Sequence, residues 1–286
     1  MPTLFWRRNR IKPDGGIPFV DGSFTVTQEE QDRWFDLFDV DSATDARNPP
    51  FSYGIKSATM WFLRTLRSLG INFRHVRQVA VKETYHPLKP PAEAGDYTFH
   101  LTLSDIYVAD EDRPIIVLSA TVKDRTGSVR STYHAHFMVL SLDSASITRL
   151  REHPSFGRGD SGSFIRQKEA IAKLKAPNRE SVTFQIAKEM GVAFARLGGD
   201  YNFHIYNIGA RFMGYPKAFV QGSCIMSYAQ KYLTAASPKP LTAISVNFVR
   251  PVFVGDAVEI RYDEKRFEFI NPQGKLTAFG YWECSV

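Results

Sequence analysis

Cysteine is scarce in this sequence of 286 residues, which contains only Cys224 and Cys284. Two cysteines are too few for a disulfide framework or a cysteine-based zinc site, and neither has metal-motif spacing. The sequence also has no run approaching the roughly 18 consecutive apolar residues of a membrane helix. These absences favour a reducing compartment. We expect a soluble, cytoplasmic protein that has no membrane partner.

A concentrated charge tract is also missing. The 36 Lys and Arg residues exceed the 30 Asp and Glu residues by six, and they are spread along the chain. This mild excess suits an anionic small molecule or an acidic carrier protein, and it argues against a nucleic-acid partner. Hydrophobic residues make up 43% of the chain and charged residues 23%, so a globular protein is predicted.

The beginning of the chain is repeated in its second half. Residues 23–41 and residues 181–200 share a short β-prone start, a helical stretch with an aromatic residue and a final aspartate. The aromatic residues are Phe35 and Phe194, and the aspartates are Asp41 and Asp200. An internal repeat of this kind indicates two units of the same architecture.

The repeat continues along both halves. Residues 79–96 and 244–256 alternate apolar residues and end in Gly-Asp, which is typical of half-buried strands that end in a turn. Two strand-turn-strand units follow, with turns at Asp124 to Gly127 and at Asn271 to Gly274. An apolar helical segment precedes the strands in each copy, starting at Gly54 and at Gly222. The connecting stretch from about Ser144 to Glu180 reads as a loop plus one amphipathic helix, FIRQKEAIAKLK.

This order predicts two α+β units, each an antiparallel sheet wrapped around one long helix. The predicted boundaries place the first unit at residues 1–145, a linker with one helix at 146–180 and the second unit at 181–286.

A specific motif stands in the second unit. The stretch GDYNFHIYNIGARFMGYPKAFVQGSC, followed by SVNFVRPVFVGDAVEI, resembles the MaoC-like, or (R)-specific enoyl-CoA hydratase, family of acyl-thioester dehydratases. The family pattern is Gly-Asp-x-Asn-Pro-x-His, then a glycine that opens a central helix, then a strand with Phe-x-x-Pro and Gly-Asp. The resemblance covers residues 180–286 and implies a hot-dog fold. Together with the repeat, it implies a tandem, or double, hot-dog in one chain.

The sequence departs from the family pattern at two positions. Asp200 and His204 are four residues apart, where the family has five, because the segment is one residue shorter where proline usually stands. Gln221 occupies the position before the helix-opening glycine, where the family commonly has histidine.

The resemblance implies an active site that interconverts 3-hydroxyacyl and trans-2-enoyl thioesters. Asp200 and His204 are then the catalytic acid and base, and which of the two takes the proton from water is left open. Asn202 lies between them and could fix the loop or bind the water. Gly222 and Ser223, at the helix start, would bind the negatively charged thioester oxygen.

The resemblance also implies what carries the substrate, and it implies different roles for the two copies. The substrate is a thioester of coenzyme A or of an acyl carrier protein, and neither a cofactor nor a metal is needed. In the first copy no histidine stands between Asp41 and Gly54. We therefore expect a non-catalytic first copy that completes the sheet and shapes the acyl channel, in a monomer or a homodimer of such double units.

Two other functions are compatible with the sequence. A hot-dog thioesterase would ordinarily carry an acid on its central helix, but residues 222–237 contain no Asp or Glu. A non-catalytic module that binds acyl thioesters is the other alternative. His134 and His136 share one face of a predicted strand and could bind a metal, although no third ligand stands nearby.

Overall fold

The computed structural model describes residues 19–40, 62, 65–67, 69–71, 76–86, 94–108, 113–140, 142–158 and 180–285. We call residues 19–158 the first half and residues 180–285 the second half. The strands within these ranges are β1 (Phe19–Val26), β2 (Val76–Tyr85), β3 (Gly95–Val108), β4 (Pro114–Asp124), β5 (Val129–Val139), β6 (Glu180–Gln185), β7 (Leu241–Phe248), β8 (Ala257–Tyr262), β9 (Arg266–Ile270) and β10 (Leu276–Cys284). The helices with defined bounds are α1 (Gln28–Phe38), α2 (Ser144–Glu152), α3 (Met190–Gly198), α4 (Asn207–Phe212) and α5 (Gly222–Ala236).

All ten strands form one antiparallel sheet in the order β1-β3-β4-β5-β2-β7-β10-β9-β8-β6. The order within the first half is mirrored in the second, and β2 pairs with β7 where the halves meet. Val81 lies opposite Val246 in this central pair. The two halves are therefore related by an approximate two-fold arrangement about the β2–β7 pair.

Helix α1 begins and ends at residues suited to those positions. Thr27 and Glu30 form a capping box, in which each side chain accepts a hydrogen bond from the other's backbone N–H. The helix ends at Asp39, which adopts the left-handed conformation with φ of 50°. The side chain of Lys231 from α5 donates to the Phe38 carbonyl over 2.6 Å, so α1 of the first half is tied to a helix of the second.

Aromatic side chains build the core between the sheet and the helices. On the second-half sheet, Phe184 of β6 stacks on Tyr228 of α5, with ring centroids 4.6 Å apart. Phe38 of α1 packs edge-on against the same Tyr228 and against Phe194 of α3. The core is thus continuous across both halves, because one residue of α1 contacts two helices of the other half.

The first half has the same arrangement where the structure describes it. Residues 62 and 65–67 are helical, and the Phe62 ring lies 6.0 Å from the Tyr133 ring of β5. A sheet with a helix across its inner face, present twice, is a double hot-dog fold. The predicted α+β class is therefore confirmed, and most of the predicted helix that starts at Gly54 lies outside the described residues.

The predicted hairpins are confirmed at both turns. Asp124 N–H donates to Ser128 O over 3.0 Å between β4 and β5, and Asn271 N–H donates to Lys275 O over 3.0 Å between β9 and β10. The prediction was wrong at residues 144–152, which form α2 instead of a loop. Asp143 caps this helix by accepting a hydrogen bond from Ser146 N–H over 2.7 Å. The segment FIRQKEAIAKLK lies outside the described residues.

The helix ends also correct the alignment of the two copies. Asp39 after α1 and Gly199 after α3 are both left-handed caps, so they are equivalent positions. Val40, and not Asp41, is therefore the structural counterpart of Asp200. Asp41 itself lies outside the described residues. The first half thus has an apolar residue at the position where the second half has the predicted catalytic acid.

Candidate active site

The chain leaves α3 at Gly199, whose φ of 70° turns it sharply into Asp200. The buried side chain of Gln221 holds this turn in place. Its amide nitrogen donates to the Asp200 carbonyl over 2.9 Å and to the Gly191 carbonyl over 3.0 Å. The glutamine that replaces the family's histidine therefore joins the start of α3, the Asp200 turn and the start of α5.

The carboxyl group of Asp200 is buried, with only 9% of the residue exposed. Its Oδ1 accepts a hydrogen bond from Asn202 Nδ2, and its Oδ2 lies 3.5 Å from the Ser223 hydroxyl, at the long limit of a hydrogen bond. Burial raises the pKa of Asp200 to about 6, while the bonds from Ser223 and Asn202 act in the opposite direction. This carboxyl group therefore exchanges a proton close to neutral pH.

The imidazole of His204 is fixed by Phe219, just before α5. The two rings are stacked with centroids 4.1 Å apart, and Nδ1 lies 3.0 Å from the Phe219 carbonyl oxygen. Since a carbonyl only accepts, Nδ1 carries the proton and Nε2 keeps its lone pair. Burial lowers the pKa of His204 to about 4, and the nearby positive charge of Arg77 acts in the same direction. The ring is therefore neutral at pH 7, with Nε2 available as a base.

Helix α5 begins after both residues along the chain, but its start lies near them, because Phe219 holds His204 and Ser223 lies close to Asp200. Gln221 is its N-cap residue, and no side chain caps the helix. The first backbone N–H groups of a helix have no intrahelical acceptor and attract negative charge. A Cβ atom at Gly222 would lie 2.7 Å from the Phe248 ring and 3.0 Å from Gln78 Oε1, so glycine is required there by close packing.

Three residues of the first half approach this site, and the sequence did not indicate any of them. Arg77 lies close enough to act on the pKa of His204. Gln78 lies against Gly222 and donates from Nε2 to the Tyr133 hydroxyl over 3.4 Å. The pKa of that hydroxyl is raised by burial first and then by the charges of Glu83 and Asp200. The candidate site therefore lies at the junction of the two halves.

The segment around the candidate site carries large exposed apolar side chains. Phe203 and Phe212 contact each other edge to face, with ring centroids 6.2 Å apart. Five such side chains come from this short stretch: Tyr201, Phe203, Tyr206, Ile208 and Phe212. Their concentration next to buried polar groups is typical of the entrance of a binding site.

The structure brings three of the five predicted site residues into one hydrogen-bonded group: Asp200, Asn202 and Ser223. Gly222 precedes Ser223 at the helix start. The His204 ring is held by Phe219, which stands three residues before Gly222. The roles of all five residues remain predictions. His134 and His136, by contrast, are bonded to Ser119 and Tyr107, and within the described ranges no three His, Cys, Asp or Glu side chains cluster in a way that could hold a metal.

Comparison with known proteins gives a family match in the second half. Residues 169–277 match the MaoC like domain family, so the resemblance seen in the sequence is confirmed for this region. No curated protein matches the chain. In the part of the chain that the structure describes, no helix is long and apolar enough to cross a membrane.

Solved structures match almost the whole chain. HtdX of Mycobacterium tuberculosis superposes with a TM-score of 0.68 at 12% identity, over 94% of this chain and 100% of that chain. A MaoC-like dehydratase from Phytophthora capsici gives 0.67 at 14% identity, over 94% and 96% of the two chains. An acyl-ACP thioesterase from Bacteroides thetaiotaomicron gives 0.53 at 9% identity, over 93% and 98%. These likenesses establish the double hot-dog fold.

Proposed function

We propose that this protein is an acyl-thioester hydratase or dehydratase that interconverts 3-hydroxyacyl and trans-2-enoyl thioesters without a cofactor. One observation carries the proposal. A neutral imidazole with a free Nε2 and a buried carboxyl group of raised pKa flank the uncapped start of a buried helix. A reaction that adds water to an enoyl thioester needs a base, an acid and a site for negative charge.

His204 is the proposed base in the hydration direction. Its Nε2 takes a proton from water as the water oxygen bonds to C3 of the enoyl group. The Phe219 carbonyl keeps Nδ1 protonated and so keeps the lone pair on Nε2. Stacking on the Phe219 ring fixes the plane of the imidazole, which holds Nε2 in one direction.

Asp200 is the proposed acid. Its carboxyl group gives a proton to C2 while the C2–C3 double bond becomes a single bond. Because burial raises its pKa to about 6, a larger fraction is protonated near neutral pH than for an ordinary aspartate. The proton on His204 then returns to Asp200, which restores the starting state. Asn202 holds the carboxyl group in position through its hydrogen bond to Oδ1.

The start of α5 is the proposed site for the thioester oxygen. Negative charge moves onto this oxygen when water attacks C3. The backbone N–H groups of Gly222 and Ser223 are on the first turn of a helix without a side-chain cap, and they would stabilise that charge. The short contacts around Gly222 leave no room for a side chain that could cover these groups.

The carrier of the acyl group is coenzyme A or an acyl carrier protein. Both are anionic, and the sequence from Tyr201 to Gly255 contains no Asp or Glu. We keep three further expectations as proposals. These are unit boundaries near residues 145 and 180, a cytoplasmic location, and a monomer or homodimer of double units.

A spectroscopic assay tests the proposed reaction. A short and a long trans-2-enoyl thioester, each on coenzyme A and on a carrier protein, are mixed with the protein and with its Asp200→Asn variant. Hydration removes the ultraviolet absorbance of the conjugated thioester and releases no thiol. We expect this loss with at least one substrate, and we expect it to be abolished in Asp200→Asn.

The same assay separates the two alternatives. The fold likeness to an acyl-ACP thioesterase favours testing hydrolysis, which would release one thiol for each thioester consumed. Helix α5 carries no acid that could serve such a reaction. Binding of the thioester without any change in absorbance or thiol would overturn the proposal in favour of a non-catalytic module.

A further inference from the structure

Strand β2 contains a β-bulge next to the candidate site. Its pairing with β5 runs from Gln78 opposite Phe137 directly to Ala80 opposite His136, so Val79 is an extra residue. On the other side, β2 pairs with β7 only over Ala80 to Thr84. The residues before Ala80 therefore have no ladder partner in β7. A bulge in such a place redirects the side chains that precede it.

The bulge reverses the side on which the side chains before it lie. Val81 belongs to the inner core, and strict alternation would place Val79 on the same face. Val79 packs instead on a separate cluster formed by Tyr107, Ile115 and Val117. Gln78 takes the inner face, where it meets the Tyr133 hydroxyl and Gly222. Without the bulge, the side chain of Gln78 would point away from the second half.

The amide of Gln78 is suited to bind an oxygen at the start of α5. Its oxygen lies 3.0 Å from the position that a Cβ of Gly222 would occupy. The amide nitrogen has two N–H groups, of which Tyr133 accepts one. A half-turn of the amide exchanges its nitrogen and oxygen, and the Tyr133 hydroxyl can then donate instead of accept. Either rotation keeps the bond to Tyr133.

We propose that Gln78 of the first half is a further catalytic residue, whose side-chain amide donates a hydrogen bond to the thioester oxygen at the N-terminus of α5. This inference rests on the proposed function. The backbone N–H groups of the second half and one side-chain N–H of the first half would then bind the same oxygen. The first half is in that case part of the catalytic machinery, although it has no acid-base pair at the matching position.

Two variants at this position test the proposal. Gln78→Leu removes the donor with little change in size, and Gln78→Glu keeps the size and an acceptor for Tyr133 but places an acid beside the oxygen. We expect kcat to fall about 100-fold in Gln78→Leu, with KM changed less than about threefold, and to fall at least as far in Gln78→Glu. Gln185→Leu is the matched control, because its side chain is exposed on β6 and binds Gly255.

A vibrational measurement separates a catalytic from a structural role. The infrared carbonyl band of an enoyl-CoA bound to Asp200→Asn, which cannot turn it over, should lie at lower frequency than in solution because hydrogen bonds polarise the carbonyl. Adding Gln78→Leu to Asp200→Asn should move the carbonyl band part of the way back to its frequency in solution. Adding Gln185→Leu should leave the band where it is. A purely structural role would lower thermal stability and leave the band unchanged.

Each outcome bears on a different claim. Wild-type kcat in either Gln78 variant, or an unchanged carbonyl band, would overturn the role of Gln78 and leave the proposed hydratase intact. A protein that hydrates no thioester on either carrier would remove the proposed function itself. A reduced kcat in both Gln78 variants and a smaller band shift with Gln78→Leu, with neither change in Gln185→Leu, is the result we expect.

Discussion

Glu83 of the first half and Asp200 of the second half are both buried carboxyl groups, and the two differ in what surrounds them. Glu83 of β2 is fully buried and accepts a hydrogen bond from the Tyr85 hydroxyl over 3.1 Å. Tyr85 in turn accepts from Gln230 of α5 over 2.5 Å. Burial raises the pKa of Glu83 well above its usual value, as it does for Asp200 in the second half. Burial alone therefore does not distinguish a catalytic acid.

Glu83 and Asp200 differ in their place in the fold and in the groups beside them. Glu83 lies within the central strand pair on the buried face of β2, whereas its neighbours Lys82 and Thr84 on the other face are exposed. Asp200 lies in the turn after α3, and the next residue, Tyr201, is exposed. Asp200 is therefore adjacent in sequence to an exposed residue, and its carboxyl group lies next to the start of α5, where negative charge is proposed to develop. The comparison therefore favours Asp200, and not Glu83, as the proposed acid.

Among the proposed changes, removal of the His204 imidazole should have the largest effect on turnover. We expect His204→Ala to lower kcat by about 1,000-fold, because the base that accepts the proton from water is removed. His100→Ala is the matched control in the first half, where the exposed imidazole pairs with Asp21 over 2.8 Å. The readout is steady-state turnover of the enoyl thioester. Equal activity of the two variants would remove His204 from the mechanism.

The pH dependence should follow Asp200 and not a residue of the first half. Because the pKa of Asp200 is raised to about 6, the proton needed at C2 is lost as the pH rises above that value. We expect kcat/KM to fall about 50-fold from pH 6 to 8, with a slope that approaches about tenfold per pH unit above the pKa. His204 remains neutral throughout, because its pKa is lowered to about 4. A flat profile across this range would mean that Asp200 works in its ionised form.

The packing at Gly222 should also affect turnover. A methyl group there would lie 2.7 Å from the Phe248 ring, so Gly222→Ala must displace that ring or the helix start. We expect kcat to fall about 50-fold, because a displacement of about 1 Å in a catalytic group has an effect of this order. The double variant with Phe248→Leu provides room for the methyl group. Failure of that second change to restore activity would count against displacement as the cause.

The smallest expected effect is on stability. The pKa of Asp200 is higher in the folded protein than in the unfolded chain, so its contribution to stability is present below about pH 4 and is lost as the pH rises through 6. Asp200→Asn should therefore raise the free energy of unfolding by about 2 kcal/mol at pH 8 and by much less at pH 4. Denaturant unfolding at both pH values measures this.

Much of the fold was predictable because its signals are local. The hairpin turns at Asp124 and Asn271 are specified by the turn residues themselves, and both are present. Helix α2 was missed even though Asp143 is a good N-cap, because the surrounding stretch has little apolar periodicity. The pairing of β2 with β7 could not be predicted, since nothing within either strand specifies a partner so distant in sequence.

The candidate site was predictable only in the second half. Asp200, Asn202 and Ser223 were predicted through the family motif, and they form one hydrogen-bonded group. Gln78 was not predicted, because the alternation in β2 gives no sign of a bulge at Val79. The role of Gln221 also differs from a simple replacement of histidine, since its amide holds two carbonyl groups that are far apart in sequence.

The pairing of Val81 with Val246 has a consequence for how the protein behaves on dilution. If the halves were separate molecules, the contact between Gln78 and Gly222 would form only at concentrations above their dissociation constant. Here a single chain carries both strands, so this contact forms within the molecule. Its population is therefore independent of protein concentration. Cutting the connection would turn a unimolecular equilibrium into a bimolecular one and would leave two strands, β2 and β7, with unpaired edges.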